Sequence, residues 1–228
     1  VGTSLVTGAG RGIGRELACV LLARGERVIA TVRDRGHVPP EWASFRDNGQ
    51  LEVLDLDVRD GRSIAEAARI ADEPIDVLVN NADIIGPERQ STLDMDFDGF
   101  LETLAVNTLG PLRVAQAFLP HLRRAHAGRI VTISSRMGSL SYAKSDRIAY
   151  RASKAAVNKV MQGLATDLRQ DGITVVSVHP GWVRTDMGGS GADIPVQESA
   201  AGLLRLIDRL SLKDTGGFFD WRGKPLEF

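Results

Sequence analysis

Thr7-Gly8-Ala9-Gly10-Arg11-Gly12-Ile13-Gly14 is the stretch that decides the fold. It follows a strand-like run, Thr3–Thr7, and opens a helical stretch over about residues 12–24. Gly8, Gly12 and Gly14 give a G-x-x-x-G-x-G spacing. Glycine permits a tight turn and lets backbone approach a ligand closely. The N-terminus of the helix offers free N–H groups and its positive dipole end, which suits a pyrophosphate. The strand–turn–helix context separates such a cradle from an ordinary turn.

Outward from this turn, β-rich runs alternate with helical segments. The strands are expected at Thr3–Thr7, Arg27–Val32, Leu51–Asp55, Val77–Asn80, Arg129–Ser134, Thr174–His179 and, weakly, Phe218–Phe219. The helices are expected near 12–24, 61–71, 96–125, 150–170 and 196–210. The middle strands are near-continuous apolar runs, as strands buried on both faces read. Alternation of this kind implies parallel pairing through right-handed crossovers. The expected fold is α/β: a three-layer, doubly wound Rossmann fold with a mostly parallel seven-stranded sheet, in one domain over residues 1–228. The Gly36–Pro40 and Gly188–Pro195 clusters are loops, the second suited equally to a mobile lid or a plain surface loop.

Composition narrows the function. Hydrophobic residues are 43% and charged residues 25%, which is ordinary for a globular chain. A formal net charge of -1 gives no field to draw nucleic acid or an anionic membrane. The single cysteine, Cys19, sits in an apolar helical run and reads as a buried thiol. No apolar run is long enough to cross a bilayer and no signal-peptide pattern is found, so a soluble cytoplasmic protein is expected. His37, His121, His126 and His179 lack metal-ligand spacing, so no metal is expected. The nucleophile elbow of hydrolases and the Gly-Lys-Ser/Thr of phosphate loops are also missing.

The candidate chemistry lies at strand ends. Tyr150 and Lys154 are four apart at the start of a helix, hence on one face. A phenol titrates near 10, and a neighbouring ammonium favours its ionised form, so the pair is a coherent proton-transfer unit. Ser134 and Ser135 end the fifth strand, where a hydroxyl can bond a substrate carbonyl. Asn107 lies midway along a long helix broken by Gly110-Pro111, where an amide can bond freed backbone groups or hold water. Asn80 and Asn81, at the end of the fourth strand, can tie strand ends together or touch a cofactor. Asp57, after the third strand, suits an adenine contact or a strand-end cap. Arg136, Lys144 and Arg147 read as solvated loop charges, with attraction of an acidic substrate as the alternative.

Taken together, Thr7–Gly14, Asn80-Asn81-Ala82, Asn107, Ser135, Tyr150-x-x-x-Lys154 and Pro180-Gly181 resemble the short-chain dehydrogenase/reductase family in order and nearly in spacing, over essentially the whole chain. Tyr150–Asn158, His179–Gly189 and Gly217–Gly223 narrow the resemblance to the sniffer-type carbonyl reductases and the related C-factor proteins. The resemblance implies an oxidoreductase acting on a small carbonyl or alcohol. In it Tyr150 exchanges a proton with the substrate oxygen, and Lys154 lowers the phenol pKa and bonds the nicotinamide ribose. Ser135 orients the substrate, and Asn107 holds a water in a relay reaching Lys154. Pro180, Gly181, Val183 and Thr185 flank the carboxamide. A homodimer or homotetramer is implied too. The competing expectation is a cofactor-binding signalling protein of the C-factor type with little relevant turnover.

Two departures stand out. Asp83 replaces the usual glycine of Asn-Asn-Ala-Gly, and either disturbs packing beside the cofactor or points to solvent. The Ser135–Tyr150 segment is slightly long, which admits Ser139 as the catalytic serine; Ser135 is favoured because it ends the strand. Cofactor choice follows from charge. The second strand ends Thr31-Val32-Arg33, with a guanidinium where NAD-preferring folds place a carboxylate. Arg33, with Arg11 in the glycine turn, fits the 2′-phosphate of NADP(H). Asp34 is the nearest acid and is expected to face the loop.

Overall fold

The computed structural model describes every residue except Val1, Arg35 and His37; the expectation for His37 therefore lies outside the described residues. Seven strands form one sheet in the order β3-β2-β1-β4-β5-β6-β7, and every pairing is parallel. They are β1 (Thr3–Val6), β2 (Arg27–Val32), β3 (Leu51–Asp55), β4 (Val77–Asn80), β5 (Arg129–Ile133), β6 (Thr174–His179) and β7 (Phe218–Asp220). The helices are α1 (Gly12–Ala23), α2 (Ala43–Asp47), α3 (Gly61–Ile70), α4 (Phe97–Leu104), α5 (Gly110–Arg124), α6 (Ile148–Asp167) and α7 (Val196–Arg209). The short helix α2 and the 3-10 turn Pro40–Trp42 before it were not legible, because a segment so short carries no period.

Period two explains the layering. In β4, Val77 and Val79 enter the core under α1 and α7, while Leu78 enters the core under α3, α5 and α6. β5 repeats this with Val131 and Ile133 against Ile130, and β6 with Val176 and Val178 against Val175. Side chains alternate across a strand, so a strand with helices on both faces is apolar at most of its positions. Leu17, Leu21, Leu203 and Ile207 fill one core; Phe118, Leu122, Val157 and Met161 fill the other.

The expected helix over 96–125 is divided. α4 is capped at its N-terminus by Asp96, whose carboxylate accepts from Gly99 N at 3.0 Å. Between α4 and α5 the chain makes a π-helical turn over Ala105–Leu109, in which Gly110 N donates to Ala105 O. Pro111 has no N–H to give, so the ladder resets just where the turn widens. The turn aims Asn107 at Ile84 in the loop that follows β4. Strand order reverses between β1 and β4, and the crevice at the carboxyl ends there is where open α/β sheets bind ligands.

Candidate active site

A cleft of about 830 Å3 runs across the carboxyl ends of the strands. At one end is the glycine turn. Gly8 has φ +64°, and a Cβ there would lie 2.9 Å from the Ala82 backbone. The N-terminus of α1 follows with no side-chain cap, leaving its N–H groups open to a ligand. Gly8, Arg11, Gly12 and Ile13 line the cleft. Gly14 does not; its missing Cβ makes room for Asn81 Nδ2, which would be 2.4 Å away. Gly14 is thus a packing residue behind the cradle rather than part of its wall.

The two asparagines divide the alternatives between them. Asn80 is buried, its amide directed to Thr132 Oγ1 at 3.3 Å and Pro111 O at 3.5 Å, and it does not line the cleft. This corrects its reading as a cofactor contact: the side chain faces into the sheet's helical layer. Asn81 does line the cleft and donates to Thr7 O at 2.9 Å and Gly8 O at 3.2 Å, so it braces the glycine turn.

Arg33, Asp34 and Asp57 line the adjacent wall. Asp57 is held by Arg59, whose Nη2 is 2.7 Å from its carboxylate, and this keeps the Asp57 carboxyl below the usual range. Arg59 lines the cleft as well, a third guanidinium that the sequence reading passed over although it lies two residues past Asp57. Arg11 pairs with Asp186 across the cleft at 3.3 Å, both well exposed. An exposed pair of this kind is worth little and can exchange for a stronger anion.

Tyr150, on α6, and Ser135, just past β5, line the other end. Ser139 is turned away: its hydroxyl donates to Phe228 O at 3.2 Å and meets Ser141 Oγ at 2.8 Å. Ser135 is the serine that faces Tyr150 and favours its phenolate. Gln90, which nothing in the sequence marked, positions α6. Its side-chain oxygen accepts from Tyr150 N at 3.1 Å and its backbone oxygen from Ile148 N at 2.9 Å. It stands in for the cap that Arg147, at φ 52°, does not supply.

Lys154 is 1% exposed and lies behind Tyr150, its ammonium 5.4 Å from the ring centre. It donates to Ile133 O at 2.9 Å and pairs with Asp83 at 2.9 Å. Asp83 therefore does not simply point to solvent: it lines the cleft with its carboxylate paired to Lys154. Burial pushes the Tyr150 phenol above its ordinary value; Lys154 pulls it down, Asp83 pushes it up, and Ser135 and Arg147 pull it down. The ammonium acts in the expected direction, but burial outweighs it. Burial also opposes the Lys154 charge, yet Asp83, with Tyr150, overrides this and the ammonium sits above the ordinary lysine value.

Asn107 grips the loop that carries Asp83. Its Oδ1 accepts from Ile84 N at 2.9 Å, and its Nδ2 donates to Ile84 O at 2.8 Å and Ser153 Oγ at 3.0 Å. These bonds lead to Ser153 rather than Lys154, so the amide's hydrogens are already committed inside the protein. Pro180, Gly181, Val183 and Thr185 line the cleft past β6. The Gly188–Pro195 loop is stitched back to them: Trp182 Nε1 donates to Gly188 O at 2.9 Å and Arg184 N to Ile194 O at 2.9 Å. Arg136 and Arg147 line the mouth and Lys144 does not. Among the described residues there is no group of His, Cys, Asp and Glu able to hold a metal, and no helix long and apolar enough to cross a membrane.

Known proteins share this arrangement. The profile of the family described as short chain dehydrogenase matches residues 3–193. The C-signal of Myxococcus xanthus is 45% identical over 161 residues, 70% of this chain and 96% of that protein. The NADPH-bound carbonyl reductase from chicken fatty liver superposes with a TM-score of 0.91 at 36% identity, covering 100% of this chain and 99% of that one. Carbonyl reductase Sniffer of D. melanogaster gives 0.92 at 30% identity, with 100% of both chains covered. With the glycine turn, the Tyr150–Lys154 pair and the sheet order all in place, the chain belongs to the short chain dehydrogenase family of oxidoreductases, near the sniffer-type carbonyl reductases and the C-signal.

Proposed function

We propose that this chain is an NADP(H)-dependent oxidoreductase that interconverts a small carbonyl compound and its alcohol, with Tyr150 as the acid/base. The observation that carries the reading is one cleft holding an uncapped glycine-turn helix at one end and Tyr150 beside Ser135, backed by Lys154, at the other. The residues fit the cofactor. The α1 N-terminus with Gly8 and Gly12 suits the pyrophosphate, Arg33 and Arg11 the 2′-phosphate, Asp57 the adenine side, and Pro180, Gly181, Val183 and Thr185 the carboxamide. When bound, the nicotinamide supplies or accepts the hydride.

The protein's own residues handle position and the proton. Ser135 holds the substrate oxygen beside the phenol. In reduction, Tyr150 gives its proton to that oxygen as the carbonyl becomes an alcohol, and Lys154 stabilises the phenolate left behind. In oxidation the phenolate takes the proton back. Bound NADPH in the chicken carbonyl reductase supports the choice of cofactor. A soluble homo-oligomer goes with this reading; Phe97 and Leu101, exposed and one turn apart on α4, offer it apolar surface.

The similarity to the C-signal favours a second reading, in which the same cleft binds NADP(H) for a signalling role with little turnover. NADPH consumption with a panel of aldehydes, ketones and diketones separates the two. Steady turnover with some member supports the enzyme, and tight NADPH binding with no turnover across the panel supports the signalling protein.

A further inference from the structure

Asp83 is the one residue of the centre that departs from the family pattern, and it has placed a carboxylate inside the proton-transfer unit. Its Oδ2 is 2.9 Å from Lys154 Nζ, with the two side chains 18% and 1% exposed. The Asp83 backbone is held in turn through its neighbour Ile84, both of whose peptide groups bond Asn107. Among the described residues Lys154 pairs with no other carboxylate within 4 Å, and its remaining bond is to the neutral Ile133 O. A lysine this buried ordinarily surrenders its charge, since desolvation disfavours the ammonium.

We propose that Asp83 is a positioning residue of this centre: its carboxylate clamps the buried Lys154 ammonium in its charged form and so extends the alkaline range over which the chain reduces carbonyls. The proposal rests on the reading of Tyr150 and Lys154 given above. Reduction needs the phenol protonated and the ammonium charged at once. A carboxylate beside both groups opposes loss of either proton, because each loss would add a negative charge or remove a positive one next to it. The charged and titratable groups acting on Lys154 are Asp83 and Tyr150, and those acting on Tyr150 are Lys154, Asp83 and Arg147 at the N-terminus of α6, with the Ser135 hydroxyl from the end of β5. The π-helical turn opposite, Ala105–Leu109, has no ionisable side chain. Asp83 also takes up one of the three ammonium hydrogens and Ile133 O another, which leaves a single donor for any further partner.

Two readouts test this, one independent of turnover. The first is a nitrogen NMR titration of the lysine side chains of the full chain without cofactor, with Lys154 identified by its loss in Lys154→Met. In the wild type Lys154 should stay protonated beyond the ordinary lysine midpoint of about 10.4. In Asp83→Asn, which keeps the shape and removes the charge, the midpoint should fall by roughly one pH unit or more. The second is the alkaline limb of NADPH-dependent 4-nitrobenzaldehyde or phenanthrenequinone reduction, which should move to lower pH in Asp83→Asn and return toward the wild type in Asp83→Glu. A Lys154 midpoint unchanged by Asp83→Asn overturns the proposal, as does a wild-type midpoint below the ordinary value, which can be read even if the variant does not fold. Full turnover in Tyr150→Phe would instead overturn the functional reading beneath it.

Discussion

Arg33 and Asp57 line the same wall of the cleft, but their surroundings differ. Asp57 is engaged by Arg59, whereas Arg33 has no ion pair within 4 Å among the described residues. A guanidinium available in this way should contribute about 1.5–3 kcal/mol to a charged hydrogen bond, roughly tenfold or more in affinity. Arg33→Asp should therefore lower the NADPH-over-NADH preference by at least that factor in a competitive titration of both cofactors; an unchanged ratio would remove Arg33 from the 2′-phosphate site. His179 offers a residue-scale test of stability. Burial, then Arg136, hold its pKa down at about 4, with Asp220 opposing. The folded chain thus binds fewer protons than the unfolded chain between about pH 6.5 and about 4, and this contribution to stability is lost as pH falls through that window. His179→Gln should flatten the fall of the urea midpoint across it, and a slope equal to the wild type's would contradict the assignment. At this scale the sequence was legible where geometry is dictated by spacing, as for Tyr150 and Lys154. It was not legible for Asn80 and Asn81, since neighbours at a strand end point opposite ways and only the register settles which faces the cleft. The Asp83–Lys154 pair, 71 residues apart in the chain, carries no local signal at all.

Elements deliver those side chains, and the π-helical turn shows how. It was legible only as a break at Gly110-Pro111, because nothing in the residue types foretells which side chain a widened turn will throw inward. Asn107→Ala should leave Ile84 N and Ile84 O unpaired in a part-buried loop, at about 1–3 kcal/mol for each group. Chemical denaturation should register the loss, and NADPH-dependent turnover should fall with it because the Asp83 loop is released. Stability equal to the wild type's would mean that the amide is dispensable. The first helix makes a parallel case. Gly14→Ala would push a Cβ to within 2.4 Å of Asn81 Nδ2 and 2.7 Å of Gly8 O, so α1 or the brace must shift. NADPH affinity should drop although residue 14 does not line the cleft; unaltered affinity would show that the cradle tolerates the shift. Strand positions were legible almost to the residue because each is a short, mostly apolar run between turns, whereas the helices were legible in outline only: α2 is too short to show a period, and the expected helix over 96–125 is divided into α4, the π-helical turn and α5.

Across the whole molecule, the sheet order places a reversal between β1 and β4, and everything discussed above gathers at the carboxyl side of that reversal. The parallel order follows from the alternation of elements, so it too was legible; the fit of loops from β3 to β6 around one cleft was not, since their lengths alone do not set their paths. A ligand that binds only the folded chain stabilises it by about 2.7 kcal/mol at a hundred times its Kd. For a chain of this size that is a rise of roughly 5–10 °C in Tm. NADPH should give such a rise and NADH a smaller one at equal concentration; equal rises would point away from a 2′-phosphate site. The central claim is that Tyr150 moves the proton in a cleft that binds cofactor independently of that proton. It is tested most directly by comparing wild type and Tyr150→Phe for NADPH affinity and for NADPH-dependent turnover of the best carbonyl from the panel. The account predicts a fall in turnover of roughly 10²–10⁴-fold with affinity little changed; turnover near the wild type's in the purified variant would contradict it.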